Sequence, residues 1–143
     1  MTEQVSHFPF AVGPLLPHAG PMLCIDRLLS SSKTAAVAEA TLTPEHSLLR
    51  EGILDSAAYV ELAAQTAGAM QGYDLFLQGQ PPKPGFLVGV QDFIIHGGAG
   101  MGDRLVMDVA IIAELGEMTV LAARVCRDGV LLAEGRLKVY VPK

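Results

Sequence analysis

The residue best suited to chemistry in this sequence is Glu61, which lies inside an otherwise apolar run, LDSAAYVELAAQTAGAMQ. A carboxyl group in apolar surroundings is costly to ionise, so it can keep its proton near neutral pH and act as a general acid. Gln65 follows one helical turn later, where its amide reaches the same face and can orient the carboxyl group. The alternatives are that Glu61 pairs with an arginine at a subunit interface and that Gln65 binds only backbone. We favour a functional Glu61, because a lone carboxylate in a buried run is costly.

The run around Glu61 predicts a helix over residues 54–71. Its alanines and leucines favour helix, Asp55 or Ser56 can cap its start, and Gly72 can end it. The run is apolar nearly all round, which is typical of a helix buried on most sides.

Strands are predicted on both sides of this helix. Two precede it, over residues 22–29 and 36–42, and four follow it, over residues 86–95, 103–114, 118–127 and 130–141. Asp128-Gly129 indicates a tight hairpin between the last two, and strands joined by short turns pair antiparallel. We therefore expect an α+β fold with about six antiparallel strands around one long central helix. It would form a single domain over residues 1–143, with residues 1–13 as a loosely ordered N-terminal extension.

Composition narrows the class of protein. The chain has 143 residues, of which 50% are hydrophobic and 17% charged, and its net charge is -5, which excludes a disordered chain. No cluster of lysine and arginine indicates nucleic acid, and no segment reads as a signal peptide or a membrane span. The two cysteines, Cys24 and Cys126, lie in apolar runs without metal-ligand spacing. We expect buried thiols, no metal and a cytoplasmic location.

Two motifs resemble a known family. Residues 15–29 (LLPHAGPMLCIDRLL) resemble the opening of the FabZ/FabA-type 3-hydroxyacyl-acyl carrier protein dehydratases, and residues 61–68 (ELAAQTAG) resemble their central helix motif. Gly102-Asp103 in the strand block adds to the match, which spans residues 15–141. The resemblance implies the hot-dog fold, a curved antiparallel sheet around a central helix. It also implies a homodimer or higher oligomer with active sites between protomers.

One stretch departs from that family. Its members place His-Phe-Pro fourteen residues before the carboxylate and Pro-Gly at the helix entry, where this chain has Ser47 and Asp55-Ser56. The sequence SLLREG before the helix is closer to the divergent dehydratase-like proteins of aryl polyene biosynthesis clusters. Those relatives also carry a histidine at the end of the strand after the helix, where this chain has His96.

Dehydration of a 3-hydroxyacyl thioester requires a base at the carbon beside the carbonyl, an acid for the departing hydroxyl and donors for the thioester oxygen. The resemblance makes the base a histidine, and of the four present we discount His7 and rank His96 before His46. A histidine bound to backbone or to solvent remains the alternative for both. Glu61 is the expected acid. The expected substrate-binding residues are Gln65, His18 in the PLLPHAGP loop, Ser56 and Ala57 with their helix-start N–H groups, and Gly97 and Gly98.

The function expected is dehydration of 3-hydroxyacyl thioesters, linked to acyl carrier protein or CoA, to trans-2-enoyl thioesters in fatty acid or polyketide-like synthesis. No cofactor is required. One alternative is an acyl thioesterase on the same fold, in which Glu61 activates water. Another is a catalytically impaired acyl-binding subunit that completes an active site with a partner, as a heterodimer.

Overall fold

The computed structural model describes residues 7–142, so the first six residues of the predicted N-terminal extension, and Lys143, lie outside the described part of the chain. Two short 3₁₀ turns, Gly13–Leu15 and Gly20–Met22, lie near its start. The longer elements are β1 (Phe10–Ala11), β2 (Arg27–Ser31), β3 (Ala35–Thr41), β4 (Leu49–Arg50), β5 (Ile53–Leu54), α1 (Ser56–Leu77), β6 (Phe86–Ile95), β7 (Arg104–Leu115), β8 (Met118–Arg127) and β9 (Val130–Tyr140). No helix within residues 7–142 combines the length and the apolar character that crossing a membrane requires.

Seven of the strands form one antiparallel sheet in the order β1-β2-β3-β7-β8-β9-β6. The prediction of an antiparallel sheet around one long helix is confirmed, with one strand more than the six expected. The addition is β1, in which Phe10 pairs with Leu28. The two-residue strands β4 and β5 pair with each other just before α1.

Small side chains let the sheet approach the helix closely. Ala36, Ala38 and Ala40 point inward from β3 and are buried, and Leu62 and Ala63 of α1 are fully buried opposite the sheet. The helix runs on past Gly72, where the sequence predicts its end. A Cβ at Gly72 would lie 2.0 Å from the carbonyl oxygen of Leu15, so the glycine serves close packing rather than termination.

On the outer face of the sheet, Glu39 is buried between two arginines. Arg27 and Arg104, on the strands either side of β3, both donate to its carboxylate, with Arg104 Nε 2.7 Å from Oε2. Burial by itself raises the pKa of Glu39, but the hydrogen bonds from the arginines outweigh it and the pKa lies below its ordinary value. The cluster ties β2, β3 and β7 together.

The described part of the N-terminal extension is packed against α1. His7 Nδ1 lies 2.7 Å from the hydroxyl of Tyr73, and the rings of Phe8 and Phe10 contact the Tyr73 ring. The aromatic side chains of residues 7–10 therefore cover the C-terminal half of the helix, where the sequence suggests a loose tail.

Candidate active site

A cavity of about 620 Å³ opens between one side of α1 and the inner face of the sheet. This volume is in the range typical of pockets for small organic ligands. Glu61, Gln65 and Gly68 line it from the helix, His18 lines it from the preceding loop, and Leu121 lines it from β8. The structure therefore brings together three of the predicted site residues: Glu61, Gln65 and His18.

Gln65 fixes the position of the Glu61 carboxyl group. Its side chain is buried, and its Nε2 donates both to Glu61 Oε1 at 2.9 Å and to the carbonyl oxygen of Met22 at 2.7 Å. Its Oε1 accepts from the backbone N–H of Cys24 at 2.8 Å. Oε2 of Glu61 has no hydrogen-bond partner within residues 7–142, so it is the carboxyl oxygen left open to a ligand. The arrangement suits a general acid.

His46 uses both ring nitrogens for backbone contacts, one within its own turn and one to the loop that precedes β2. Its Nδ1 accepts from the backbone N–H of Leu48 at 3.2 Å, so Nε2 carries the hydrogen and donates to the carbonyl oxygen of Cys24 at 2.8 Å. Ser47 acts in the same way, donating to the carbonyl oxygen of Pro21 at 2.6 Å. In this state of the ring, His46 has no lone pair available for a substrate.

His96 lies at the end of β6 and does not line the cavity. Its Nε2 is 2.8 Å from Glu134 Oε2, and both side chains are about two-fifths exposed, at 41% and 44%. Glu134 faces outward from β9, since its neighbour Ala133 is buried on the inner face. Within the single chain, His96 and Glu61 belong to different surfaces.

The glycine-rich segment after His96 is held firmly beside the start of α1. The carbonyl oxygen of Gly97 accepts from the Tyr59 hydroxyl at 3.1 Å, and that of Gly98 accepts from Arg127 at 2.9 Å. Asp103 accepts from the N–H of Gly100 and from Arg127, each at 2.9 Å, and these bonds lower the pKa of Asp103. The segment is a fixed loop, with the helix start as its neighbour.

The start of α1 offers backbone donors. The first N–H groups of a helix have no intrahelical acceptor, and Ser56 and Ala57 occupy this first turn with exposed side chains. Asp55 is the N-cap residue by position, yet its side chain makes no capping hydrogen bond and lies 3.8 Å from Arg50. These donors are therefore available to a ligand.

The sequence contains no signal for the loop contacts of Gln65, His46 and Ser47. All three bind main-chain atoms of residues 21–24, and a carbonyl or amide partner can belong to any residue type. Within residues 7–142, no group of three or more His, Cys, Asp or Glu side chains is placed to hold a metal ion.

The comparisons with known proteins agree with this architecture. The family model of the ApeP-like proteins, described as ApeP dehydratase, matches residues 10–143. The 3-hydroxyacyl-[acyl-carrier-protein] dehydratase FabZ of Streptococcus equi subsp. zooepidemicus is 30% identical over 127 residues, covering 85% of this chain and 89% of that protein. FabZ of Streptococcus pyogenes serotype M3 is 32% identical over 131 residues, with the same coverage of 85% and 89%.

Solved structures show the same fold. A chain of the dehydratase heterocomplex ApeI:P from Xenorhabdus doucetiae superimposes with a TM-score of 0.86 at 20% identity, covering 94% of this chain and 92% of that one. Cj0977, a sigma28-regulated virulence protein from Campylobacter jejuni, superimposes with a TM-score of 0.68 at 14% identity, with coverages of 93% and 85%. From the family match and the FabZ identity together, the chain belongs to the ApeP-like dehydratase family and is a divergent relative of FabZ.

Proposed function

We propose that this protein dehydrates 3-hydroxyacyl thioesters, carried by acyl carrier protein or CoA, to trans-2-enoyl thioesters in fatty acid or polyketide-like synthesis. The observation that carries the proposal is the Glu61 carboxyl group, held through Oε1 by Gln65 at the wall of a cavity of about 620 Å³. Membership of a dehydratase family supports the reaction type.

In this proposal Glu61 is the general acid. It protonates the 3-hydroxyl group from Oε2, so that the hydroxyl leaves as water while a base takes the proton from C2. The backbone N–H groups of Ser56 and Ala57 are the proposed donors to the thioester oxygen, on which negative charge develops. Gly97 and Gly98 lie in the loop beside this helix start and, like Ser56 and Ala57, do not line the cavity of the single chain.

The test is the Glu61→Gln variant, assayed with 3-hydroxyoctanoyl-acyl carrier protein. Gln keeps the size of the side chain but has no acidic proton, so we expect a loss of about 10²-fold or more in kcat. The readouts are the absorbance of the conjugated enoyl thioester and, in parallel, release of free thiol. The matched control is Glu45→Gln, an exposed carboxylate outside the cavity, which should keep full activity. Full enoyl formation by Glu61→Gln would contradict the acid role, and thiol release without enoyl product would favour a thioesterase.

We further propose that the active form is an oligomer in which β6 faces a second hot-dog chain, either identical or different. The strand is an edge of the sheet, and six of its large apolar side chains are exposed in the single chain. These are Phe86, Leu87, Val88, Val90, Ile94 and Ile95. Exposed apolar side chains gathered on one edge strand are typical of a protein–protein interface. A heterodimer is included because the ApeI:P neighbour is a heterocomplex.

The proposed compartment is the cytoplasm. Cys24 and Cys126 are both free cysteines, and burial is the main factor that raises the pKa of each thiol. Two unpaired, protonated thiols are consistent with reducing surroundings.

A further inference from the structure

We propose that His18 is the general base of this site, in place of the other histidines; this inference rests on the proposed dehydration. Its Nε2 would remove the C2 proton of the substrate while Glu61 protonates the 3-hydroxyl group from the same cavity. His18 is the one histidine, within the part of the chain that the structure describes, that lines the cavity with Glu61.

The other three histidines are engaged elsewhere. His46 binds backbone through both ring nitrogens, His96 lies against Glu134 on the outer face, and His7 binds the hydroxyl of Tyr73. A base must have an accessible lone pair within reach of the proton that it removes. In the single chain, His46 keeps no free lone pair, and His96 and His7 do not line the cavity that contains Glu61.

The ring of His18 has no hydrogen-bond partner in residues 7–142. Its Nδ1 is buried and unpaired, which is unusual because buried polar atoms are normally satisfied. The side chain as a whole is half-buried and lines the cavity. A substrate in the cavity would give the ring the hydrogen-bond partner that it lacks.

The loop holding His18 is fixed in place relative to Glu61. Leu16, two residues before it, packs on Gly68, where an added Cβ would lie 3.0 Å from Leu16 Cδ2. On the other side, Gln65 binds the carbonyl oxygen of Met22 and also binds Glu61. The same helix therefore holds both groups: Gly68 packs against the loop that carries His18, and Gln65 binds Glu61.

The proton balance closes without a cofactor. The neutral ring carries its hydrogen on Nδ1, and Nε2 takes the C2 proton as the electron pair forms the C2=C3 bond. The C3–O bond breaks, and Glu61 supplies the proton with which the hydroxyl leaves as water. The site then holds an imidazolium and a carboxylate, and proton transfer from His18 to Glu61 through solvent restores both.

The test compares His18→Gln, His96→Gln and His46→Gln, with His7→Gln as the matched control, each in the oligomer as purified with any partner subunit. We expect His18→Gln to lower kcat with 3-hydroxyoctanoyl-acyl carrier protein by about 10²- to 10⁴-fold. The acid limb of the pH profile, which reports protonation of the base, should disappear in the residual activity. His7→Gln should match the wild type in both respects.

Near-normal activity of His18→Gln with its acid limb intact, alongside an inactive Glu61→Gln, would overturn this assignment and leave the dehydration standing. A large loss in His96→Gln or His46→Gln alone would transfer the role to that residue. No enoyl product from the wild type would overturn the proposed function itself, and this assignment with it.

A second measurement guards against a folding defect in the variant. Wild-type protein is treated with diethyl pyrocarbonate, and modification of each histidine is mapped by mass spectrometry against remaining activity. Loss of activity should follow modification of His18 and should be slowed by bound substrate. Full modification of His18 with activity retained would contradict the proposal.

Discussion

Gln65 is the residue on which the geometry of the site depends most directly. Its side chain makes three hydrogen bonds at once: to Glu61, to the Met22 carbonyl and to the Cys24 N–H. The carboxylate-x-x-x-amide spacing of Glu61 and Gln65 predicts that the amide can orient the acid, because residues four apart share a helix face. The contacts to Met22 and Cys24 could not be predicted, since they depend on how the preceding loop folds back on the helix.

We expect Gln65→Met to lower both stability and activity. The change keeps the length of the side chain but leaves the buried N–H of Cys24 unpaired, which costs about 1–3 kcal/mol, while the Met22 carbonyl keeps only its contact with the Cys24 thiol. Loss of the bond to Oε1 also frees the Glu61 carboxyl to rotate, so kcat should fall. Denaturant unfolding and the enoyl assay measure the two effects.

The control for this change is Gln71→Met on the same helix, a half-buried glutamine with no hydrogen bond in residues 7–142. Its effect on the free energy of unfolding should stay within about 0.5 kcal/mol. Equal losses in the free energy of unfolding would show that the hydrogen bonds of Gln65 do not stabilise the fold.

At the scale of elements, the central helix shows what local pattern can and cannot predict. Its existence and burial follow from an alanine-rich run that is apolar on all sides. The end of the helix does not follow from the sequence pattern. Gly72 is of a residue type that often ends helices, but here it lies where the 3₁₀ turn at Leu15 packs closely against the helix. Tertiary contact decided the boundary, and the helix continues to Leu77.

Two glycines of this helix provide a matched stability test. Gly72→Ala would place a Cβ 2.0 Å from the carbonyl oxygen of Leu15, so helix and turn must separate, and we expect a loss of about 2 kcal/mol or more. Gly68→Ala meets only the flexible end of Leu16, at 3.0 Å, and gains the higher helix propensity of alanine. Its free energy of unfolding should therefore change little or rise by up to about 1 kcal/mol. Equal effects from both substitutions would contradict this packing argument.

At the scale of the whole molecule, the sheet ends on β6 with an apolar edge. Each strand of the C-terminal block could be predicted from alternation and from the Asp128-Gly129 hairpin, and β6 and β8 match their predicted bounds. The order of the strands in the sheet could not be predicted, because β6 pairs with β9 rather than with its sequence neighbour β7. This crossover puts β6, with its exposed apolar side chains, at the edge of the sheet, where we propose that a second chain covers it.

We expect the double variant Val88→Lys/Val90→Lys to dissociate the oligomer. Lysines on an edge strand oppose pairing with another strand, because their charges would be buried at the contact. The measurement is the molar mass in solution by light scattering coupled to size exclusion. Leu115→Lys, at an exposed hairpin end away from β6, is the control and should leave the mass unchanged. An unchanged mass for the double variant would exclude β6 as the interface.

The central position of α1 in the chain also shapes how the protein is made. The helix leaves the ribosome before any of the strands β6 to β9, of which β7 and β8 pack against it in the finished fold. At about 5–20 residues per second, synthesis of the segment from Phe86 to Tyr140 takes roughly 3–11 seconds. For that interval the nascent chain carries an apolar helix without four of the seven strands of its sheet, and we expect holding chaperones to bind the apolar side chains that the finished fold buries.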